Sequence, residues 1–208
     1  TQGNADSAVF SMKVAANSFS LEKYNFGLLE SQLRYDAGTL FLSEMKGTID
    51  QSKYVGNLDL NLHDSQIKGA INFDSSRLRD ILFITKDIVS APFIIDGLGH
   101  AKVKLSGPLD FWKMNYALDA DFKDIQIHTE NFSSLKVNIN AENGTALFSN
   151  SALIRKNSHL SIEGSIKSDK TFNLNGNGTG FKLEESEFIK SLSVPIFGDF
   201  GFSYTTTG

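Results

Sequence analysis

The chain of 208 residues has no cysteine. This excludes disulfide staples, thiolate metal sites and a cysteine nucleophile, and sets redox chemistry aside. Proline is scarce at 3 residues, and Trp112 is the lone tryptophan. Few prolines leave strand ladders uninterrupted, and one tryptophan argues against a sugar-binding module. No apolar run approaches the roughly 18 residues a membrane-spanning helix needs, and the opening TQGNADSAVF is not a signal peptide. Positive charge is not in excess either. The net charge is -4 and the pI about 5.5, so no basic field awaits phosphate backbones and no nucleic-acid partner is expected. Both ends, TQGNADS and YTTTG, stop in mid-pattern. The segment therefore reads as one β-rich unit, 1–208, cut from a longer chain whose export signal or anchor lies outside it.

Phenylalanine, by contrast, is abundant at 17 residues. Many Phe and few Pro suit long strands with one apolar face. The clearest stretch is Tyr54 to Lys86. There Leu58, Leu60 and Leu62 alternate with Asn57, Asp59 and Asn61, and Ile67, Gly69, Ile71 and Phe73 alternate with Gln66, Lys68, Ala70 and Asn72. His63-Asp64-Ser65 turns one run into the other. Asp74-Ser75-Ser76 then supplies an N-cap for an amphipathic helix of about three turns over 75–86. Similar alternation recurs through Val103 and Leu105, Leu118 and Phe122, Val137 and Ile139, and Leu160, Ile162 and Ile166. A parity shift at Lys123-Asp124 fits a bulge or a tight turn, and Asn143-Gly144 is the strongest hairpin signal. Asp96 to Gly99 reads as a turn, Ser90-Ala91-Pro92 as a break, and Glu184 to Leu192 as a second helix stopped by Pro195. The total is about fourteen to sixteen short strands. The fold class is all-β, with one or two short helices and no βαβ alternation. Gly56-Asn57-Leu58, Gly69-Ala70-Ile71, Gly107-Pro108-Leu109 and Gly164-Ser165-Ile166 form a loose repeat of hairpins rather than a closed barrel.

No residue pattern points to catalysis. His63, His100, His128 and His159 are scattered without metal-ligand spacing, so no metal or cofactor is expected. Asp119 and Asp121 share the outward face of a strand, as solvated charge does. No Gly-x-Ser-x-Gly elbow occurs. Gly176 to Gly180 lacks the lysine and the following helix of a phosphate loop, and reads as a Gly-rich strand that kinks or lets another backbone approach closely.

What remains is the apolar stripe. So many one-sided strands with so little helix to cover them suit a sheet curled into a half-open trough, and a large apolar surface marks a binding site. Its predicted lining is Leu58, Leu60, Leu62, Ile71, Phe73, Val103, Leu105, Leu118, Phe122, Val137, Ile139, Leu160, Ile162 and Ile166.

GTIDQSKYVGNLDLNLHDSQIKGAINFDSSRLRDI and GHAKVKLSGPLDFWKMNYALDADFKDIQI, within residues 40 to 176, resemble the repeated β-rich segments of the AsmA-like family, especially the C-terminal region of TamB, the translocation and assembly module. The shared feature is the Gly-x-apolar hairpin rhythm, as in Tyr54-Val55-Gly56-Asn57-Leu58 and Ser106-Gly107-Pro108-Leu109. The resemblance implies a β-taco, a folded-over elongated sheet with a hydrophobic groove. It further implies a periplasmic location in a Gram-negative envelope, a parent chain anchored in the inner membrane, and a part in phospholipid transport or outer-membrane biogenesis. The partners implied are phospholipid acyl chains, a BamA-like or TamA-like outer-membrane barrel, and outer-membrane protein clients. An exported structural or adhesive β-repeat, like an autotransporter passenger with a filled interior, is the alternative.

Overall fold

A computed structural model describes residues 9–86, 94–192 and 196–208, without the side chain of Phe188. Twelve strands run antiparallel to their neighbours in one sheet, paired in sequence order. They are β1 (Val9–Leu21), β2 (Tyr24–Asp36), β3 (Thr39–Ile49), β4 (Ser52–Asn61), β5 (Gln66–Arg77), β6 (Ile95–Pro108), β7 (Asn115–Ile127), β8 (Glu130–Glu142), β9 (Thr145–Arg155), β10 (Ser158–Lys167), β11 (Phe172–Lys182) and β12 (Asp199–Thr207). The all-β expectation holds, and among the described residues β1 and β12 are the margins of an open sheet.

Twelve long strands replace the larger number expected, because bulges bend strands that the sequence pattern splits. β1 is continuous through a register shift between Ala16 and Phe19. Asp96 to Gly99, expected as a turn, lies within β6 at another shift. At the expected parity change in β7, Asp124 takes a φ of 51° and both Phe122 and Ile125 turn inward and are buried. Each such bulge adds twist, and a column of them coils the sheet on itself. Pro92 and Pro195, expected to break the chain, lie outside the described residues.

The helices also differ from expectation. β5 runs on through Arg77, and α1 spans only Leu78–Ile84. Ser76 does not cap it: its hydroxyl donates to the Lys53 carbonyl at 3.1 Å, in the β4 direction. The second helical stretch divides into a 3-10 turn, Leu183–Glu185, and α2, Glu187–Ser191, with the Ser186 hydroxyl capping the Ile189 amide at 3.3 Å.

The sheet is an internal duplication. One constant spacing separates the first residues of β1 and β7, Val9 and Asn115, and also Tyr24 from Glu130, Thr39 from Thr145 and Ser52 from Ser158. The same spacing links residues of positive φ: Glu22 with His128, Ala37-Gly38 with Asn143-Gly144, Glu44 with Asn150, and Asp50 with Lys156. It also carries the Leu62 amide to Gly38 carbonyl bond, 2.9 Å, onto that from Ser168 to Gly144, 2.7 Å. α1 follows β5 as α2 follows β11. Each unit is five strands, a helical excursion and a sixth strand.

The two units pack differently. In the first, Tyr24, Phe26, Leu29, Met45, Ile49, Tyr54, Ile67 and Phe73 meet across the curl, joined by Phe122 and Ile125 of β7. Tyr54 marks the closure, with its ring over Gly47 and its hydroxyl donating to the Phe26 carbonyl two strands away at 2.9 Å. α1 plugs this core at one end, touching β2, β5 and β6 and burying Ile84.

Candidate functional site

Partners across a ladder share a face of the sheet. The register Ile71 to Val103 to Leu118 to Ile139 puts those four side chains on one side. Phe122, Leu135, Leu153 and Leu160 continue it in the next row. The same inner face holds Leu58, Leu60, Phe73, Leu105, Val137, Ile162 and Ile166 by alternation. Leu62 is the exception. β4 ends at Asn61, and Leu62 stands in the turn with 49 % of its surface exposed.

Burial divides this stripe. Leu58, Ile71, Phe73 and Phe122 are packed into the closed core, with Leu58 at 2 % and Phe122 at 1 % exposure, so they fill the interior rather than line an open groove. They share one cluster with Tyr24 and Phe26 of β2 and Ile84 of α1, a long-range closure that alternation does not encode. Leu60, Val103, Leu105, Leu118, Val137 and Leu160 are half-buried, and all but Val103 pack on the margin of that core. Ile139, Ile162 and Ile166 are half-buried and stand apart from it. Leu153 is the last fully buried hydrophobe along the sheet, and the described residues of β10, β11 and β12 contribute none. Beyond Leu153 the inner face, across β10 to β12, is therefore an apolar surface left half-exposed.

Several lining residues were missed from the sequence: Phe148 opposite Gly164, Phe172 opposite Ile166, and Leu174. A bulge at Asn150 breaks the β9 alternation that would have revealed Phe148. At the far side an aromatic row closes the trough floor: Phe181 to Phe200 at 5.6 Å, Phe200 to Phe202 at 5.7 Å and Phe202 to Tyr204 at 6.4 Å between ring centroids. The glycines of β11 make this row possible. A Cβ on Gly178 would stand 2.3 Å from the Phe202 ring, and one on Gly176 would stand 1.9 Å from the Ser161 carbonyl oxygen. The close-approach reading of the Gly176 to Gly180 stretch is what the structure contains.

Polar anchors sit at the helix-bearing end. Asp80, 4 % exposed, accepts from the Ser52 hydroxyl at 2.7 Å and the Gln51 amide at 3.4 Å, while Ser52 accepts from the Arg77 amide at 2.8 Å. Arg77 pairs in turn with Asp96. In the second unit Arg155 pairs with Glu130, lies 4.7 Å over the Phe132 ring and donates to the Asn131 carbonyl at 2.7 Å. Glu130 also accepts from the Ser186 hydroxyl at 2.7 Å, which ties α2 to the β7–β8 turn. The helices therefore close one end of the curl, and the flank of the trough stays open.

The outer face is polar. Lys53 stands opposite Asp74, Asp59 opposite Lys68, Lys102 opposite Asp119 and Asp121 opposite Lys136, opposite charges in register. A concavity of about 440 Å³ on this face is lined by Asn57, Asp59, Lys68, Lys104 and Asn140 among others, a setting unlike the apolar trough.

Burial, helped by the nearby Asp110 and Glu22 carboxylates and by Tyr116, pushes the Tyr24 phenol up to about 12. Burial raises Tyr54, Tyr116 and Tyr204 as well. The Thr171 hydroxyl and amide hold Asp169 below its ordinary value, and its own backbone amide and that of Gly198 do so for Glu184. These carboxylates belong to a surface turn and a helix start. His63, His100, His128 and His159 are exposed, and among the described residues no three His, Asp or Glu side chains gather as a metal site. No helix among the described residues is long and apolar enough to cross a membrane.

Comparison with family models, with curated proteins and with solved structures finds no match to this chain.

Proposed function

We propose that the protein shields acyl chains, or the apolar faces of outer-membrane strands awaiting assembly, in the trough formed by β8 to β12. The observation that carries this reading is the change in burial along one continuous apolar face: packed into the core of the first unit, then only half-buried at Ile139, Ile162 and Ile166 and exposed at Phe202. No group does chemistry in this function. A chain bound there would gain roughly 0.8 kcal/mol per buried CH₂, and a continuous floor would let it slide with little net change in free energy. With the hairpin rhythm resembling the AsmA-like and TamB family, this suits a periplasmic component of phospholipid transport or outer-membrane biogenesis. Its parent chain would be held in the inner membrane and would face a BamA-like barrel at the other side.

Native mass spectrometry of the purified protein, followed by solvent extraction and lipid identification, tests the reading. Co-purifying phospholipid is expected, and it should be lost in Ile162→Asp while the melting temperature stays close to wild type. A clean mass with no uptake of added fluorescent phospholipid would instead favour an exported structural β-repeat, the reading that the packed β2–β7 core supports.

A further inference from the structure

Where the β1–β2 turn meets the β6–β7 loop there is a cavity of about 400 Å³, none of whose lining residues belongs to the trough strands β8 to β12. Glu22, Lys23 and Tyr24 line it from the turn, and Asp110, Phe111 and Trp112 from the loop. The loop is held in place by its own bonds. The Asp110 carboxylate accepts from the Trp112 amide at 3.1 Å, the Asp110 carbonyl accepts from the Met114 amide at 2.7 Å, and the Leu109 amide donates to the Ser65 carbonyl at 3.1 Å. The Phe111 ring stacks on Tyr116 at 5.5 Å and meets Trp112 edge-on at 5.3 Å. Tyr24 is only 9 % exposed, and its hydroxyl has no hydrogen-bond partner among the described residues. A buried polar group left so is costly unless something else completes it. The repeat itself does not demand this vacancy: in the second unit Glu130 takes the place of Tyr24, and its carboxylate is occupied by Arg155 and the Ser186 hydroxyl.

We propose that this cavity binds a primary alkylammonium group, with Glu22 and Asp110 supplying the opposing charge, the aromatic rings flanking the cation and the Tyr24 oxygen accepting one of its N–H bonds. Charge selects this ligand class. Two carboxylates and one lysine line the cavity. Lys113, which pairs with Asp110 at 3.5 Å, is an exposed surface partner of the kind that contributes little. After burial, both carboxylates help to push the Tyr24 phenol up to about 12, so the field they set up reaches the buried wall. Aromatic faces attract cations, whereas an anion would meet two like charges and a neutral sugar would gain nothing from them. A free amine and an ethanolamine headgroup present the same three donors on a short alkyl stem. The site stands whether or not the trough carries acyl chains.

Trp112 is the lone tryptophan and lines the cavity, so its emission reads occupancy directly. Ethylammonium chloride titrated at constant ionic strength should change that emission saturably, and sodium chloride should not. Glu22→Gln combined with Asp110→Asn removes both charges and keeps an acceptor for the Trp112 amide. That double variant should bind ethylammonium about tenfold more weakly with an unchanged circular dichroism spectrum. Tyr24→Phe should weaken ethylammonium several-fold and leave tetramethylammonium, which has no N–H to donate, as it was. Short-chain phosphatidylethanolamine below its micelle-forming concentration separates the two sources. Tighter binding than ethylammonium, lost in the double variant, assigns the site to a lipid headgroup, and equal binding assigns it to a free amine. An ethylammonium response no larger than that to sodium chloride would overturn the proposal. So would wild-type affinity in the double variant, or saturable binding of methyl glucoside in preference to the amine.

Discussion

Tyr54 and Tyr24 are both buried phenols of the first unit, yet their hydroxyls are situated differently. The Tyr54 hydroxyl donates to the Phe26 carbonyl, whereas the Tyr24 hydroxyl has no hydrogen-bond partner among the described residues. Removing a satisfied buried hydrogen bond costs on the order of 1 kcal/mol, while removing an unpaired buried hydroxyl costs nothing or stabilises. Tyr54→Phe is therefore expected to lower the stability measured by urea unfolding by about 1 kcal/mol, and Tyr24→Phe to leave it level or raise it. A loss in Tyr24→Phe equal to that in Tyr54→Phe would contradict the assignment. Both phenols also fix the sign of the alkaline response. Tyr24 ionises at its ordinary value of 10.0 when unfolded and at about 12 when folded, chiefly through burial. Below pH 10.0 both states are neutral, so this group adds no pH dependence. Between 10.0 and about 12 the unfolded chain alone gives up the proton, and stability falls as pH rises. Urea titrations across that window should show a shallower decline in Tyr24→Phe than in wild type.

At the scale of elements, the bulges and the buried anchors decide where strands bend and helices dock. Glu44 and Asn150 occupy equivalent bulges at φ of 52° and 49°. Asparagine tolerates that left-handed conformation better than glutamate does, because its short side chain can bond locally. Glu44→Asn should therefore raise stability by about 0.5 kcal/mol, a magnitude within the usual range for relief of backbone strain. Asn150→Glu should lower it similarly, and thermal melts of the pair check both signs. α1 depends instead on Asp80, whose carboxylate gathers Ser52 and Gln51. Asp80→Ala strands those donors and should cost about 2–3 kcal/mol, while Asp80→Asn keeps an acceptor and should cost less. This scale also shows what could be read from the residues. Alternation in 54–73 placed β4 and β5 with their apolar face, and Asn143-Gly144 placed its turn, because these signals are local. The cap-like Ser75-Ser76 predicts a longer helix than α1, yet Ser76 bonds to a strand that only the fold brings beside it. The duplication is not legible in the residues because its two copies share turn geometry and bulge position far more than residue identity.

The molecule as a whole joins a closed unit to an open one, and its dynamics should report that difference. Local opening is cheap where few apolar contacts are lost, and hydrogen exchange reads its free energy amide by amide. In β2 to β7 an opening strand would uncover Tyr54, Phe73 and Phe122, all deeply buried, whereas in β10 to β12 it would uncover side chains already half in water. Native-state exchange should therefore be slowest in β3 to β7 and grow faster from β9 toward β12. A ligand that binds only the folded trough stabilises it by about 2.7 kcal/mol when present at a hundred times its dissociation constant. Phospholipid in micelles or vesicles should then slow exchange in β9 to β12 by up to about a hundredfold and leave β3 to β5 nearly unchanged. Slowing confined to the first unit would place the ligand elsewhere and remove the trough from the proposed function. Uniform protection in the free chain would mean that the second unit closes as tightly as the first, which the half-exposed Ile162 and Ile166 argue against.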